Sequence, residues 1–509
     1  MSSLQRLLMR LRSHPVAAVV AAAVVAGGAG GGIVAASSGS AAAAGSATVT
    51  VRSSTIGKPI PQGFVGVSLE VRGVESYTGT DPHNVNPVLE QLIRNLSPGG
   101  RPVIRLGGDT ADWSWYPIPG KSRPLGVRYD LSTTWIAIVR ALAAATNAQV
   151  IAGVNFEVNS TQVAGAEARA LASGLGPYLQ ALALGNEPEL YAGIPWYIIN
   201  HVRYYGRPQP WTFSAFIADY SKLASALPHN IPLAGPDMGG PVWEPDLGAF
   251  LAAEPRVRTA TIHRYPLKQC TPTPKATIPE LVSASSTSGL ANGLSGLVHA
   301  SHAHGVAFRL DETNSVSCGG EGGVSNTFAS SLWALDEMFQ LAKVGVDGVN
   351  VHSKLGTANA LWVFKQSGTK WSGYVTPDYY GLLAFVQAAP TGSQLLKVTG
   401  NNSWPIDVFA TRASDGTERV VMINLSGSKP YNVTVKGVTG AAAGTVSRLT
   451  APSLGATGRV SLGGQSFGSS TTTGQLTGSP STTTVTASGG AYKVSVPAAS
   501  AAILTLPAH

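Results

Sequence analysis

The sequence has few charged residues. Only 12% of its 509 residues are Asp, Glu, Lys or Arg, about half the share in an average soluble domain. The chain is nevertheless not of a disordered type, because 44% of it is hydrophobic. Glycine (59) and proline (33) together also stay below the share of about 25–30% that marks low-complexity sequence. Its length exceeds what one core usually organises, so we expect one large and at least one smaller domain.

Cysteine is almost absent. Cys270 and Cys318 are the only two, and no further ligand-type residues stand around them in a zinc-binding spacing, so they form either one disulfide or two unpaired buried thiols. His299, His302 and His304 resemble a metal cluster, but they precede a predicted strand and are expected at a polar helix end away from any site. We therefore expect neither a metal nor a cofactor.

Dense basic clusters are also lacking outside the N-terminus. The formal net charge is +8, and Arg6, Arg10 and Arg12 precede an uncharged Ala/Val/Gly run over residues 15–36. This order predicts an export signal over residues 1–46 and a secreted, extracellular or periplasmic protein. An uncleaved membrane anchor is the alternative; without it we expect no stable membrane association. The remaining charges argue against nucleic acid as a partner.

Short apolar runs rich in β-branched residues alternate with helix-compatible stretches after residue 60. Eight such runs are present, at residues 64–71, 103–106, 150–156, 179–184, 231–234, 257–262, 306–310 and 348–351. Eight strand-then-helix units predict an α/β fold, a (β/α)8 TIM barrel over residues 60–389. A doubly wound sheet is the alternative, but no Gly-rich phosphate loop follows the first strand.

The pattern changes beyond residue 390. Short alternating apolar runs are separated there by Thr, Ser and Gly, and no helical period remains. These features predict an all-β C-terminal domain, an antiparallel β-sandwich over residues 390–509. The alternating run within residues 47–59 is expected to add a strand to it, which would make the small domain discontinuous.

Two glutamates stand directly after buried runs. Glu187 follows the fourth predicted strand and Glu312 follows the seventh, so both are expected at the mouth of the barrel. Hydrolysis of a glycosidic bond needs such a pair, with about 5–5.5 Å between the carboxyl groups for retention and about 6.5–9.5 Å for inversion. The alternative is that both are structural carboxylates satisfied by backbone amides.

Several motifs carry a family resemblance. They are Arg105-Leu106-Gly107-Gly108, Asn186-Glu187-Pro188, Asp311-Glu312-Thr313-Asn314-Ser315, Gly319-Gly320 and Ser325-Asn326-Thr327-Phe328. Together they resemble glycoside hydrolase family 79, which contains β-glucuronidases and heparanase. The Asn-Glu-Pro motif alone marks only the wider clan, whereas the block around Glu312 is far more specific.

The resemblance implies a role for each matching residue. Glu187 would be the acid/base and Glu312 the nucleophile of a retaining mechanism, with Asn186 bound to the sugar 2-hydroxyl and Tyr265 orienting the nucleophile. Further substrate-binding residues would be Gly319, Gly320 and Tyr379 for the substrate carboxylate, and Glu70 and Asp112 for sugar hydroxyls. Glu70 and Asp112 are otherwise ordinary loop carboxylates.

The implied activity is that of an exo-acting β-glucuronidase, whose partner is a carbohydrate with a terminal β-linked glucuronate. The alternatives are an endo-acting, heparanase-like enzyme, a hydrolase of the same clan for a neutral sugar, and a non-catalytic carbohydrate-binding surface protein. The lack of basic clusters disfavours the endo-acting type. Aromatic residues near Trp196 and Trp211 would either stack on an aglycone sugar or pack a lid. The oligomeric state stays open.

Overall fold

A computed structural model describes residues 43–402, 404–439 and 443–508. Most of the predicted export signal, residues 1–42, lies outside the described residues. Across the described ranges, no helix combines the length and the apolar character needed to cross a membrane.

The first part of the chain forms a closed parallel barrel. The strands of this part of the chain, inside and outside the barrel, are β1 Gly45–Ile56, β2 Val65–Glu70, β3 Val103–Gly107, β4 Ser114–Trp115, β5 Tyr129–Asp130, β6 Gln149–Val154, β7 Leu179–Leu184, β8 Pro195–Ile199, β9 Val202–Tyr205, β10 Leu233–Met238, β11 Val257–His263, β12 Ala307–Thr313 and β13 Gly348–Ser353. The barrel closes in the order β2-β3-β6-β7-β10-β11-β12-β13. The predicted (β/α)8 architecture is thus confirmed.

Helices connect the barrel strands. In chain order they are α1 Val74–Thr78, α2 Pro87–Asn95, α3 Asp109–Asp112, α4 Thr133–Thr146, α5 Thr161–Leu175, α6 Phe213–Ala224, α7 Leu247–Ala253, α8 Ile278–Leu281, α9 Ser288–Ala303, α10 Phe328–Val344 and α11 Pro377–Ala388. Short 3-10 turns lie at Val71–Gly73, Gly176–Tyr178, Pro188–Leu190, Glu244–Asp246 and Ala284–Ser286. The barrel strands are buried almost throughout, because helices cover the outside of the barrel while side chains fill its interior.

Three barrel strands run past their predicted ends. β10 continues to Met238, β12 to Thr313 and β13 to Ser353, and their polar terminal residues are buried. An apolar pattern cannot show this extension, because the added residues include polar side chains such as Asp237, Glu312 and His352. The histidine-rich segment lies at the opposite face, where His302 Nε2 is 2.6 Å from Asp347 Oδ2.

A second sheet forms the C-terminal domain. Two of the remaining strands, β14 Trp362–Ser367 and β15 Lys370–Val375, pair with each other in a separate hairpin. The C-terminal sheet contains β16 Gln394–Gly400, β17 Ile406–Arg412, β18 Glu418–Asn424, β19 Tyr431–Lys436, β20 Ala443–Thr450, β21 Ser461–Leu462, β22 Thr483–Thr486, β23 Ala491–Val496 and β24 Ser500–Leu506. β1 pairs with β16 and β19, so the chain enters this domain before it builds the barrel.

Alternate side chains along the strands of this sheet face two different hydrophobic cores. In β18, Val421 and Ile423 contribute to the large core shared with the barrel. The intervening Val420 and Met422 belong to a separate core inside the small domain, which draws on strands from β1 to β24. Successive side chains of a strand point to opposite faces, so one set of strands fixes the small domain to the barrel and also closes its own interior.

Candidate active site

A cavity of about 440 Å³ opens at the carboxyl ends of the barrel strands. Both glutamates singled out by sequence line it, Glu187 beyond β7 and Glu312 within the end of β12. One carboxylate oxygen of each and a ring nitrogen of His263 all lie within 4.8 Å of one another. The two carboxylates therefore face a common space.

Backbone geometry aims Glu187 into this space. Its φ of 51° is left-handed, and its amide donates to the carbonyl of Asp237 at 2.9 Å, a residue that is itself left-handed at φ 56°. Such conformations are unfavourable for non-glycine residues and persist where the surrounding structure imposes them. A Cβ at Gly239 would collide with the Glu187 carboxyl group, so glycine at that position makes room for the side chain.

Glu312 is buried and held in an ionised state. The Arg105 guanidinium donates to Glu312 Oε2 at 2.5 Å and the Tyr265 hydroxyl donates to Oε1 at 2.9 Å. Burial by itself would raise the pKa of Glu312, but His352, His263 and Arg105, together with the Tyr265 hydrogen bond, hold that pKa well below its ordinary value. An ionised carboxylate with one oxygen fixed on each side is suited to nucleophilic attack.

Arg105 organises the floor of the site, a role that sequence reasoning did not assign to it. It is 1% exposed within the fully buried strand β3. Its partners are Ser68 Oγ (3.2 Å), Asn186 Oδ1 (3.0 Å), Asp237 Oδ2 (3.1 Å), Asp311 Oδ2 (3.3 Å) and Glu312. Burial by itself would lower the pKa of Arg105, but the negative charges of Asp311, Glu312 and Asp237 have the larger effect and raise it. A lone arginine in an apolar run was the available signal.

His263 links Arg105 to Glu187. Its Nε2 lies 3.0 Å from Arg105 Nη2, and its Nδ1 lies 3.1 Å from Glu187 Oε1. Arg105 can only donate, so Nε2 is the acceptor when His263 is neutral, and in that tautomer Nδ1 carries the proton that is donated to Glu187. Burial would lower the pKa of His263, but the carboxylates of Glu312, Glu187 and Asp311 raise it to about 9, and the protonated ring also donates from Nδ1. In either state this donor fixes the orientation of the Glu187 carboxylate.

Asn186 is positioned by the same network. Arg105 Nη2 donates to Asn186 Oδ1 at 3.0 Å, and the backbone amide of Asn186 donates to Asp112 Oδ2 at 3.0 Å. The residue also lines the cavity. With Oδ1 engaged, the Nδ2 amide remains as a donor for a bound hydroxyl.

Asp112, expected to bind sugar hydroxyls, is saturated by protein donors. Oδ1 accepts from the amides of Phe156 (2.8 Å) and Glu157 (3.0 Å), while Oδ2 accepts from the Asn186 amide and the Tyr191 hydroxyl (2.5 Å). These four bonds fill the acceptor sites of a carboxylate. Asp112 thus acts as a brace that connects the ends of β3, β6 and β7.

Two other carboxylates at this edge face the cavity. Glu70 accepts from the amide and hydroxyl of Thr110 at 3.1 and 2.6 Å, and it lines the cavity as expected. Asp109, which sequence reasoning passed over, is exposed to the cavity. Burial and the charge of Glu70 raise the pKa of Asp109 to about 6. Asp109 and Asp112 thus both line the cavity, and of the two only Asp109 is exposed to it.

Tyr379 does not reach the cavity, so its expected role at the substrate carboxylate is wrong. It is fully buried near the start of α11, packs edge-on against Trp362 and Phe467, and donates its hydroxyl to the carbonyl of Leu92 at 2.6 Å. The aromatic ring of Tyr379 packs in the apolar core and therefore does not lie at the barrel mouth. Gly319 lines the cavity, whereas Gly320 packs against Asn359 outside it.

The C-terminal sheet matches a known family domain. The family model described as "Glycosyl hydrolase family 79 C-terminal beta domain" matches residues 408–503. This match agrees with the resemblance of the chain to glycoside hydrolase family 79.

Curated relatives and a solved structure agree with the family. A "Beta-glucuronidase" of Neurospora crassa is 23% identical over 443 residues, 76% of each chain, and one of Aspergillus niger is 23% identical over 410 residues, 72% of each chain. The structure of a 4-O-α-L-rhamnosyl-β-D-glucuronidase from Fusarium oxysporum superposes with a TM-score of 0.68 at 21% identity, over 90% of this chain and 100% of that one. Together these comparisons indicate that the chain is a glycoside hydrolase.

Three cations line the cavity on the side of Glu312. Arg264 forms an ion pair with Glu244, and Lys354 Nζ is 3.2 Å from Glu70 Oε1. Lys268 is exposed to the cavity and, within the part of the chain that the structure describes, has no carboxylate partner at ion-pair distance.

A disulfide joins two loops of the site. Cys270 lies in the loop after β11 and Cys318 in the loop after β12, and the two form a covalent bond across 48 residues. The first loop contributes Tyr265 and Lys268 to the cavity, and the second contributes Gly319. The bond holds these two groups of cavity residues next to each other.

Reduction of this disulfide is expected to lower the free energy of unfolding by up to about 4 kcal/mol, because the unfolded chain regains the entropy of an open loop of this length. Urea denaturation with and without a phosphine reductant measures the effect. The double variant Cys270→Ser/Cys318→Ser is the matched control, since its transition should ignore the reductant. An unchanged midpoint in the reduced wild type would contradict the prediction.

Proposed function

We propose that this protein is a retaining, exo-acting β-glucuronidase that releases terminal β-linked glucuronic acid from glycans or glucuronides. The observation that carries the proposal is the carboxylate pair, with oxygens of Glu187 and Glu312 within 4.8 Å, beside the uncompensated charge of Lys268. The substrate is suggested by the names of the two fungal relatives and of the Fusarium structure.

The first half-reaction breaks the glycosidic bond. Glu187 donates its proton to the glycosidic oxygen, the C1–O bond breaks, and the aglycone leaves as an alcohol. Glu312 attacks C1 from the opposite face and forms a glycosyl ester of inverted configuration. Asn186 Nδ2 is placed to hold the 2-hydroxyl while charge develops on the ring.

The second half-reaction releases the sugar. Glu187, now a carboxylate, takes a proton from water, the water oxygen attacks C1, and the ester bond to Glu312 breaks. His263 Nδ1 donates to Glu187 Oε1 and holds the carboxyl group in position for this step. Two inversions give net retention, and the close approach of the two carboxylates supports this outcome over inversion.

Recognition of the glucuronate carboxylate follows from the distribution of charge in the cavity. Glu70, Asp109 and the two catalytic glutamates give the cavity an acidic character that repels an anion. The substrate carboxylate therefore lies toward Lys268, the lining cation without an internal counter-ion. The backbone at Gly319 borders the same side.

The disulfide nearby supports the further proposal that the protein works in an oxidising compartment after export.

Hydrolysis of 4-nitrophenyl β-glucuronide, compared with the β-glucoside, β-galactoside and β-xyloside, tests this proposal. We expect strong preference for the glucuronide and a β product by NMR.

Lys268→Met should lower kcat/KM for the glucuronide about 10- to 100-fold, because a charge-assisted contact is lost. Lys365→Met, at an exposed lysine on β14, is the control and should change nothing. Preference for a neutral sugar, or an α product, would overturn the proposal. Turnover of internal linkages only would indicate an endo-acting enzyme.

A further inference from the structure

The cavity has two chemically different walls. Opposite the cationic side, the segment that follows Glu187 lines it with Leu190, Ile194, Pro195 and Trp196. None of residues 190–196 is charged. Ile194 is 40% exposed, so an apolar side chain faces solvent directly at the rim of the catalytic cavity.

The hairpin β8–β9 extends this wall outward. Pro195 pairs with Tyr205 and Ile199 with Val202 across the two strands, and Tyr197 stacks on Tyr204 with 4.7 Å between ring centroids. Its exposed large apolar and aromatic side chains are Ile198, Ile199, Val202, Tyr204 and Tyr205. These residues make the hairpin an exposed apolar and aromatic element next to the cavity, a feature that soluble proteins keep for binding. Successive side chains of a strand point to opposite faces, so the set is divided between the two faces of the hairpin.

The base of the hairpin is firmly anchored. Trp196 is 8% exposed and packs with Trp115, Val127 and Val163, while Arg128 Nη2 donates to its carbonyl at 2.8 Å. The aromatic residues of this insertion therefore divide into two groups: Trp196 packs the base, whereas Tyr204 and Tyr205 remain exposed. A wall anchored in this way is preorganised for a ligand.

Trp211, at the end of the same insertion, has a structural role. Its ring packs edge-on against Trp243 and Phe216, and its indole donates to the carbonyl of Pro188 at 2.8 Å. It thereby supports the turn that follows Glu187.

The mechanism decides which part of the substrate meets this wall. Glu187 must reach the glycosidic oxygen, so the leaving group lies on the Glu187 side of the cavity. The wall begins at Leu190, three residues after Glu187. On the basis of the proposed function, we propose that residues 190–196 and the hairpin form the leaving-group subsite and that it takes an apolar aglycone, an alkyl or aryl alcohol.

A charged sugar chain fits this wall poorly. A sulfated or uronate-bearing aglycone needs cations to compensate its charge, and the wall within the cavity offers none between Leu190 and Trp196. An apolar aglycone is instead removed from water by contact with Ile194 and the aromatic base, which is favourable in proportion to the area covered.

Methyl, butyl and octyl β-glucuronides test the inference on the full-length enzyme. Their leaving alcohols have similar acidity, so differences in kcat/KM report contacts of the alkyl chain. Below the micelle concentration, we expect kcat/KM for the octyl compound to exceed that for the methyl compound by at least about tenfold. Equal values for the three compounds would overturn the inference.

Ile194→Ser and its matched control locate the effect. Ile194→Ser should lower the octyl-to-methyl ratio of kcat/KM about three- to fivefold, because one branched contact with the octyl chain is lost. Val363→Ser replaces a similarly exposed residue, 42%, on the hairpin of β14 and β15, and should leave the ratio unchanged.

The remaining outcomes separate this inference from the proposed function. No turnover of any glucuronide refutes the β-glucuronidase assignment itself. Turnover of the methyl compound with preference for a glucuronyl disaccharide over the octyl compound refutes only the apolar subsite. A dimer in sedimentation that Tyr205→Ser dissociates would show that the hairpin binds a second copy, and it would likewise refute the subsite.

Discussion

Glu312→Gln is expected to lower kcat by about a thousandfold or more, because the amide cannot form the glycosyl ester that divides the reaction into two steps. Glu187→Gln should cause a loss of similar size with poor leaving groups, since both steps then lose their proton transfer. Steady-state kinetics on an alkyl glucuronide measures both. Glu90→Gln, a surface glutamate paired with Arg94, is the matched control and should retain full activity.

Azide distinguishes the two roles. With Glu312→Ala, azide enters the vacated space and attacks C1 once, so an activated aryl glucuronide should give the α-glucuronyl azide. With Glu187→Ala, the ester on Glu312 still forms and azide displaces it, so the product should be the β-glucuronyl azide. Near wild-type turnover of either variant, or the opposite pair of azide anomers, would contradict the assignment.

Arg105→Met is expected to lower the free energy of unfolding by about 3–5 kcal/mol, because it leaves the buried carboxylates of Asp237, Asp311 and Glu312 without a counter-charge. Arg105 also helps to hold the pKa of Glu312 low. In the wild type, the stability from ionised Glu312 is present at neutral pH and is lost as the pH falls toward that low pKa. The variant raises this pKa, so the acidic limb of kcat/KM should move to higher pH.

Arg309→Met is the matched control for this effect. Arg309 is also a buried arginine in a barrel strand, but it donates to Asn350 Oδ1 at 2.8 Å and to the carbonyl of Gly63 at 2.7 Å, not to Glu312. Its loss should destabilise the fold in urea denaturation without displacing the acidic limb. An unshifted limb in Arg105→Met, or the same shift in both variants, would refute the electrostatic role of Arg105.

Local sequence pattern was sufficient for the barrel and for the two glutamates. Apolar runs of strand length at regular intervals predict a parallel sheet, because strands covered on both faces need no polar side. Glu187 and Glu312 could be found because each is a charged residue directly after such a run, where a parallel strand reaches the barrel mouth. The alternation around Ala47 likewise indicated that the first strand belongs to the last domain.

The local sequence pattern could not place a residue that suits two different environments equally well. Asp112 and Asp109 stand three positions apart in one loop, and only the fold shows that protein donors saturate the first while the second faces the cavity. Tyr379 suited a binding motif, but its side of α11 meets Trp362 and Phe467 in the core.

The sequence alone therefore determined the architecture, the family motifs and the candidate catalytic pair, because periodicity and strand-end position are local properties of a chain. Only the tertiary structure decided how the cavity is charged. Arg105 lies on β3, whereas His263 and Lys268 belong to β11 and the loop after it, and the charge state of a side chain depends on which distant groups surround it. The low charge content of the chain thus says little about the site, where burial makes each of its few charges strong.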